Sequence, residues 1–156
     1  MSPNKSAILT VLAAFVIFTA SVSSQEKRIK KTDLPTAVQK TADEQAKGAT
    51  VRGYNKETEN GKVAYEVELT VNGHSKDVTM DAQGNVLEIE EEVAPAALPP
   101  AVREALQQKA GKGTITKVES LTKKGALVAY EAQVREGKKH SEIQVGPDGK
   151  PLAHKE

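Results

Sequence analysis

From Val63 to Val71 apolar and polar residues alternate: Val63, Tyr65, Val67, Leu69 and Val71 fall on one side, Ala64, Glu66, Glu68 and Thr70 on the other. Period two over this length predicts a strand with one buried and one solvated face. Asn72-Gly73 follows, a dipeptide suited to the positive φ of a two-residue hairpin turn. The chain returns through Lys76, Val78 and Met80, turns again at Asp81 to Asn85, and leaves through Leu87 and Ile89. Upstream, Thr50 to Lys56 predicts a weaker strand, closed by a turn at Glu59-Asn60-Gly61. Before it, Leu34, Val38, Ala42 and Ala46 recur at every fourth position, which predicts an amphipathic helix. Thr32 or Asp33 is placed to cap that helix, Pro35 suits its first turn, and Gly48 ends it.

The pattern is then written a second time. Leu34-Pro35-Thr36-Ala37-Val38 returns as Leu98-Pro99-Pro100-Ala101-Val102, an offset of 64. Val63-Ala64-Tyr65-Glu66 returns as Val128-Ala129-Tyr130-Glu131, and Asp81 to Asn85 as Gly146 to Lys150, both at 65. Leu98, Val102, Leu106 and Ala110 form the second helix stripe, with Gly111 at its end. Strands are predicted over Ile115 to Leu121, over Val128, Tyr130, Ala132 and Val134, and through Ile143 and Val145, with Leu152 after the Pro147-Asp148-Gly149 turn. Such a repeat sets the architecture. The fold class is α+β: two tandem α-β-β-β-β units at 32–93 and 98–154, each a helix on a small antiparallel sheet. Residues 94–97, Ala-Pro-Ala-Ala, form a linker too short for a free tether.

Residues 1–24 read differently. Lys5 is followed by the uncharged run Ala7 to Ala20 and then by Ser21, Val22, Ser23 and Ser24. These are the zones of a secretory signal peptide, with a cut after Ser23 or Ser24. The run is shorter than the roughly 20 apolar residues that span a bilayer. The expected location is secreted or periplasmic, with no stable membrane anchor.

Composition then narrows the chemistry. The 156 residues hold no Cys and no Trp, which removes disulfides and thiolate sites. After residue 24, Leu, Ile, Val and Phe number 25 in 132, or 19%, so the core is thin. Charge divides along the chain: residues 26–92 carry 14 acids and 10 bases, residues 93–156 carry 7 and 11. A net −4 against +4 favours attraction between the halves, though single surface pairs are weak. The basic runs Lys27-Arg28-Ile29-Lys30-Lys31 and Lys138-Lys139 lack interleaved aromatics, so no nucleic acid is expected.

No catalytic motif stands in the sequence. His140-Ser141-Glu142 lies on a predicted strand, where neighbours face opposite ways. Metal is a weak possibility. Glu88, Glu90 and Glu92 share one strand face, and hard cations want convergent oxygens. His74, Asp77 and Asp81 lie within eight residues. A solvated, charged edge is the commoner meaning of such a run, and no cofactor is expected.

The Leu-Pro-x-x-Val helix starts, the Tyr-Glu strands and the Asp- and Gly-containing turns resemble the PepSY-like superfamily, which includes tandem-repeat β-lactamase inhibitory proteins. The likeness spans about residues 32 to 154. It implies an exported, non-enzymatic protein that binds or inhibits another protein, a peptidase or other hydrolase, through its sheet face. The inhibitory proteins use disulfides and outward aromatics. This chain has no Cys and turns its Tyr residues inward, which argues against a β-lactamase target. The candidate partner-binding face is Glu66, Glu68, Thr70, Glu131, Gln133 and Arg135. The rival reading is an envelope sensor that binds a cation or small molecule.

Overall fold

A computed structural model describes residues 25–59 and 61–156. The expected signal peptide lies outside the described residues. Among those residues there are eight strands and two α-helices. The strands are β1 (Gln25–Ile29), β2 (Thr50–Glu59), β3 (Lys62–Val71), β4 (His74–Met80), β5 (Val86–Glu92), β6 (Thr114–Lys123), β7 (Ala126–Glu136) and β8 (Lys139–Val145). The helices are α1 (Thr36–Gln45), between β1 and β2, and α2 (Pro100–Ala110), between β5 and β6. All strands form one antiparallel sheet in the order β1 to β8, each paired with its neighbour in sequence.

The Asn72-Gly73 hairpin turn forms as the sequence predicts, and Lys124-Gly125 makes a matching turn between β6 and β7 that was not foreseen. Asn72 and Gly73 have φ of 53° and 88°, and Lys124 and Gly125 have 51° and 78°, both residues left-handed as a two-residue hairpin requires. In the turn after β4, the Asp81 carboxylate accepts the N–H groups of Gln83 and Asn85 at 2.9 Å. The helix stripes also form. Leu34, Val38 and Ala42 pack with Val67, Leu69, Val78 and Met80, and Leu98, Val102 and Leu106 pack with Val118, Ala132 and Val145. Tyr65 and Tyr130 sit in matching places beside these two clusters, partly buried.

Four expectations need correction. Thr32 and Asp33 do not cap α1. Lys31–Asp33 form a 3₁₀ turn, and Asp33 instead accepts the Lys30 N–H at 3.0 Å. Leu34 precedes a proline and is held extended, at φ −74° and ψ 145°, so the helix starts only beyond Pro35. Leu98 before Pro99 behaves alike, with Pro95–Ala97 as its 3₁₀ turn, so residues 94–97 are structured rather than a bare linker. Next, β1 was not foreseen. Its sequence is polar, and only Ile29 packs against the first cluster. Third, Leu152 lies outside any strand, and three strands follow α2, not four. Pro151 offers no N–H to a ladder. Last, the sheet is continuous. The ladder Glu88↔Lys123 to Glu92↔Glu119 joins β5 to β6. It sets Lys123 Nζ 3.2 Å from Glu88 but places Glu92 opposite Glu119, so backbone pairing rather than charge attraction makes the join.

Both helices lie on the face that carries Val67, Leu69, Ala132 and Val145. Each is tied down at its start by a glycine turn. A Cβ on Gly84 would lie 2.6 Å from the Ala37 carbonyl oxygen, and one on Gly149 2.6 Å from that of Ala101, and both residues have φ +79°. Gly137 is also left-handed but has open space around it. Gly137→Ala should cost about 1 kcal/mol of stability, and Gly84→Ala and Gly149→Ala at least about twice that. Urea midpoints measure the difference, and equal losses at all three positions would show that the turn-to-helix contact contributes nothing.

Candidate functional site

The face opposite the helices carries no helix among the described residues; Lys155 and Glu156 reach over its β6–β8 end, where Leu121 and Ala129 are buried, and the rest is polar and rich in acids. The pairing registers order them into rows across the strands. One row runs Gly53, Glu68, Asp77, Glu90, Leu121, Ala129. The next runs Glu92, Glu119, Glu131, Gln144, with the Ser75 N–H donating to the Glu92 carboxylate at its β4 end. A third holds Arg28, Asn55, Glu66, Thr79, Glu88 and Lys123. Acids therefore stand directly opposite acids at Glu68/Asp77, Asp77/Glu90, Glu92/Glu119 and Glu119/Glu131. Like charges in this relation destabilise a sheet by a few tenths to about 1 kcal/mol each.

Cations and amides relieve part of this. Arg28 crosses from β1 and donates from Nη1 to Glu68 Oε2 at 2.5 Å and from Nη2 to the Arg52 carbonyl at 2.5 Å. It lies where a Gly53 side chain would stand: a Cβ there would be 1.6 Å from Arg28 Nη2. Asn55, 1% exposed, donates to Glu66 at 3.0 Å and to Glu68 at 3.1 Å. Arg52 pairs with Asp77, and Lys117 Nζ lies 2.5 Å from Glu119. Gln144 donates to Glu131 at 2.7 Å. No described cation lies within ion-pair distance of Glu66 or Glu90.

The carboxyls divide accordingly. Burial pushes Glu66 up to about 7; its Asn55 hydrogen bond opposes this, while neighbouring Glu57 adds to it. Burial likewise pushes Glu90 up to about 8, reinforced by a hydrogen bond with Glu88 and by the charge of Glu119. Burial raises Asp77 despite Arg52. For Glu68 burial acts in the same direction, but the Arg28 and Asn55 hydrogen bonds together hold it below the usual value.

The candidate binding residues thus share one face, at two depths. Glu66, Glu68, Thr70 and Gln133 are half-buried and Arg135 is exposed. Glu131 is not exposed as expected: it is only 8% accessible, covered by Gln144 and by Lys155. Of the weak metal set, Glu88, Glu90 and Glu92 do share this face, but Glu90 converges instead with Asp77 and Glu119, whose oxygens lie within 4.8 Å of one another. His74 pairs with Glu92 at 3.6 Å, and Asp81 is engaged in its own turn, so neither joins Asp77. Arg28, Gly53 and Asn55 were missed by reading the sequence. Their only signal is the register of β1 against β2, which a polar strand hides. At one end of the face a cleft of about 740 Å³ is lined by Lys62, Thr79, Leu87, Glu88, Lys123 and Lys155 among others. It holds no nucleophile–base pair.

With this geometry in view, the comparisons are direct. The family described as beta-lactamase-inhibitor-like and PepSY-like matches residues 20–87 and again 63–150, and the chain belongs to that family. Each match contains one helix. Among solved structures, a BLIP-like protein from Bacteroides fragilis aligns at TM-score 0.57 and 24% identity, over 78% of this chain and 85% of that one. A DUF2874 family protein from Bacteroides ovatus aligns at 0.59 and 19%, over 76% and 84%. A protein from Bacteroides eggerthii described as periplasmic aligns at 0.62 and 17%, over 76% and 86%. These likenesses establish the fold. No curated protein matches.

The raised carboxyls give a pH signature. A group whose folded pKa is raised stabilises the fold below its unfolded value, and that stability is lost as pH rises through the folded value. Glu66 and Glu90 should therefore make the protein lose stability between about pH 4.5 and 8. Glu66→Gln and Glu90→Gln should each flatten that decline in urea midpoints. Glu68, held low, acts only in more acidic solution. Parallel curves for wild type and both variants would show that these carboxyls ionise freely.

Proposed function

We propose that this is an exported, non-catalytic protein of the cell envelope that holds another protein on its open sheet face. The observation that carries the reading is the face itself. No described helix lies on it, it spans all eight strands with residues 155 and 156 over its β6–β8 end, and it keeps like charges opposed at a cost in stability. The residues that would meet the partner are Glu66, Glu68, Thr70, Gln133 and Arg135, with Glu131 beneath. The signal-like pattern of residues 1–24, with Lys5 followed by an uncharged run and small residues, supports the location, as does the periplasmic description of the Bacteroides eggerthii protein.

In this proposal the chain is two copies of one PepSY-like unit. The element order strand, helix, three strands occurs twice, with β1 and β5 as counterparts. The equivalent Gly84 and Gly149 contacts support the same division. A second reading, a divalent-cation sensor, is favoured by two convergences of carboxylates, Glu26 with Glu66 and Glu68, and Asp77 with Glu90 and Glu119.

Mature protein recovered from an envelope fraction should begin near Ser24 or Gln25, and intact mass checks this. Immobilised protein should capture a partner from an envelope extract. Thr70→Arg with Gln133→Arg, on the open face, should abolish capture, and Lys40→Glu with Glu104→Lys, on the helix side, should leave it intact. Capture unchanged by the open-face pair would overturn the reading. A heat-unfolding midpoint raised by Ca²⁺ would favour the cation sensor, since a ligand of the folded state must raise it.

A further inference from the structure

The acids of the open face are not equally served. Glu68, Asp77, Glu88 and Glu119 each have a cation from within the chain: Arg28, Arg52, Lys123 and Lys117. Glu66 on β3 and Glu90 on β5 have none among the described residues. Glu66 is faced by Glu26 and Arg28 from β1, Asn55 and Glu57 from β2, Glu68 from its own strand and Asp77 from β4, and Arg28 gives its ion pair to Glu68 rather than to Glu66. Glu90 is faced by Glu88 from its own strand, Asp77 from β4, Glu119 from β6 and Glu131 from β7.

A second, independent feature shows how the face takes up a positive side chain. After the Gly146 to Lys150 turn, residues 152–156 form no strand, and they come to lie against β8 on the open face. The Glu156 N–H donates to Gln144 Oε1 at 2.8 Å. This places Lys155 Nζ 2.9 Å from Glu142 and 3.6 Å from Glu131. Lys155 thus sits at the end of the row Glu92, Glu119, Glu131. It is a lysine, delivered by an extended segment, neutralising an acid of the face.

We propose that the open face binds a lysine- and arginine-rich extended segment of a partner protein, whose cations reach Glu66 and Glu90, with residues 152–156 as its counterpart within the chain. This rests on the binding function proposed above and names the chemistry of the partner. Strands lie about 4.8 Å apart, so β3 to β7 spans about 19 Å, a length covered by an extended segment of about six residues. Complementary charge guides such an encounter and fixes its register. The raised pKa values of Glu66 and Glu90 add a signature: a bound cation favours the charged carboxylates, so binding releases protons.

The test uses the mature chain and a fluorescent oligolysine peptide, with binding read by anisotropy. Wild type should bind at low salt, more tightly as pH rises from about 6 to 8.5. Glu66→Gln with Glu90→Gln preserves side-chain shape and should weaken binding about tenfold and remove most of the pH dependence. Glu44→Gln with Glu104→Gln removes two acids from the exposed helix side and, compared at pH 8.5 where the open-face pair is largely ionised, makes nearly the same change in net charge and should change neither. Lys155→Ala removes the internal counterpart and should tighten binding severalfold. Circular dichroism establishes that each variant is folded. Equal weakening by the two Gln pairs would reduce the effect to net charge and overturn the proposal, as would an absence of oligolysine binding. Displacement of the peptide by one equivalent of Ca²⁺ would assign the acids to a metal ion and overturn it too. If the open-face arginine pair still abolishes capture from the extract while oligolysine fails to bind, the binding function stands and only the basic partner is wrong.

Discussion

Helices cover one face of the sheet only, and the other features follow from that asymmetry. An antiparallel sheet gives every second residue to each face. Here one set meets α1 and α2 and supplies two apolar clusters, each of modest size. The remaining set meets no helix, and only Lys155 and Glu156 reach over its β6–β8 end. It must satisfy its own polar groups, which explains the side chains that run across strands: Arg28 over Gly53 to Glu68, Asn55 between two glutamates, Gln144 onto Glu131. These contacts hold the acids in place without neutralising all of them.

The ladder between β5 and β6 makes this face a single surface. Its five residue pairs are the only sheet connection between the two halves of the described chain. The halves carry opposite net charge, yet the residues that meet at the ladder include Glu92 opposite Glu119. Formal charge along a sequence therefore says little about which charges face each other. The ladder concentrates acids from both halves at the middle of the open face, where Asp77, Glu90 and Glu119 converge.

Much of the fold was legible because its signals are local. Alternation from Val63 to Val71, the Asn72-Gly73 turn and the Leu34 to Ala46 stripe each depend on neighbours in sequence. The repeat located the second helix and the strands after it from the first. What escaped depends on pairs far apart. β1 is charged and has one inward residue, so no periodicity marks it. A single continuous sheet cannot be told from two small ones by alternation alone. The glutamates of the site were legible as outward-facing, but not their depth: Glu119 is 3% and Glu131 8% exposed, because neighbouring side chains cover them. Nor does any sequence pattern pair Arg28 with Glu68, forty residues apart.

The strand order has a consequence for how the chain acquires its shape. Since β1 to β8 lie side by side in the sequence in which they are made, no ladder waits for a distant partner. Five of the seven ladders close short turns, while β1–β2 and β5–β6 must each first span a helix; closure entropy grows only slowly with loop length, and structures dominated by near-neighbour pairings fold fast. Each hairpin can form as soon as its second strand emerges and serve as the template for the next. A protein threaded through a narrow channel, one end first, would be able to assemble progressively on the far side, with no knot of long-range contacts to resolve after the last residue arrives.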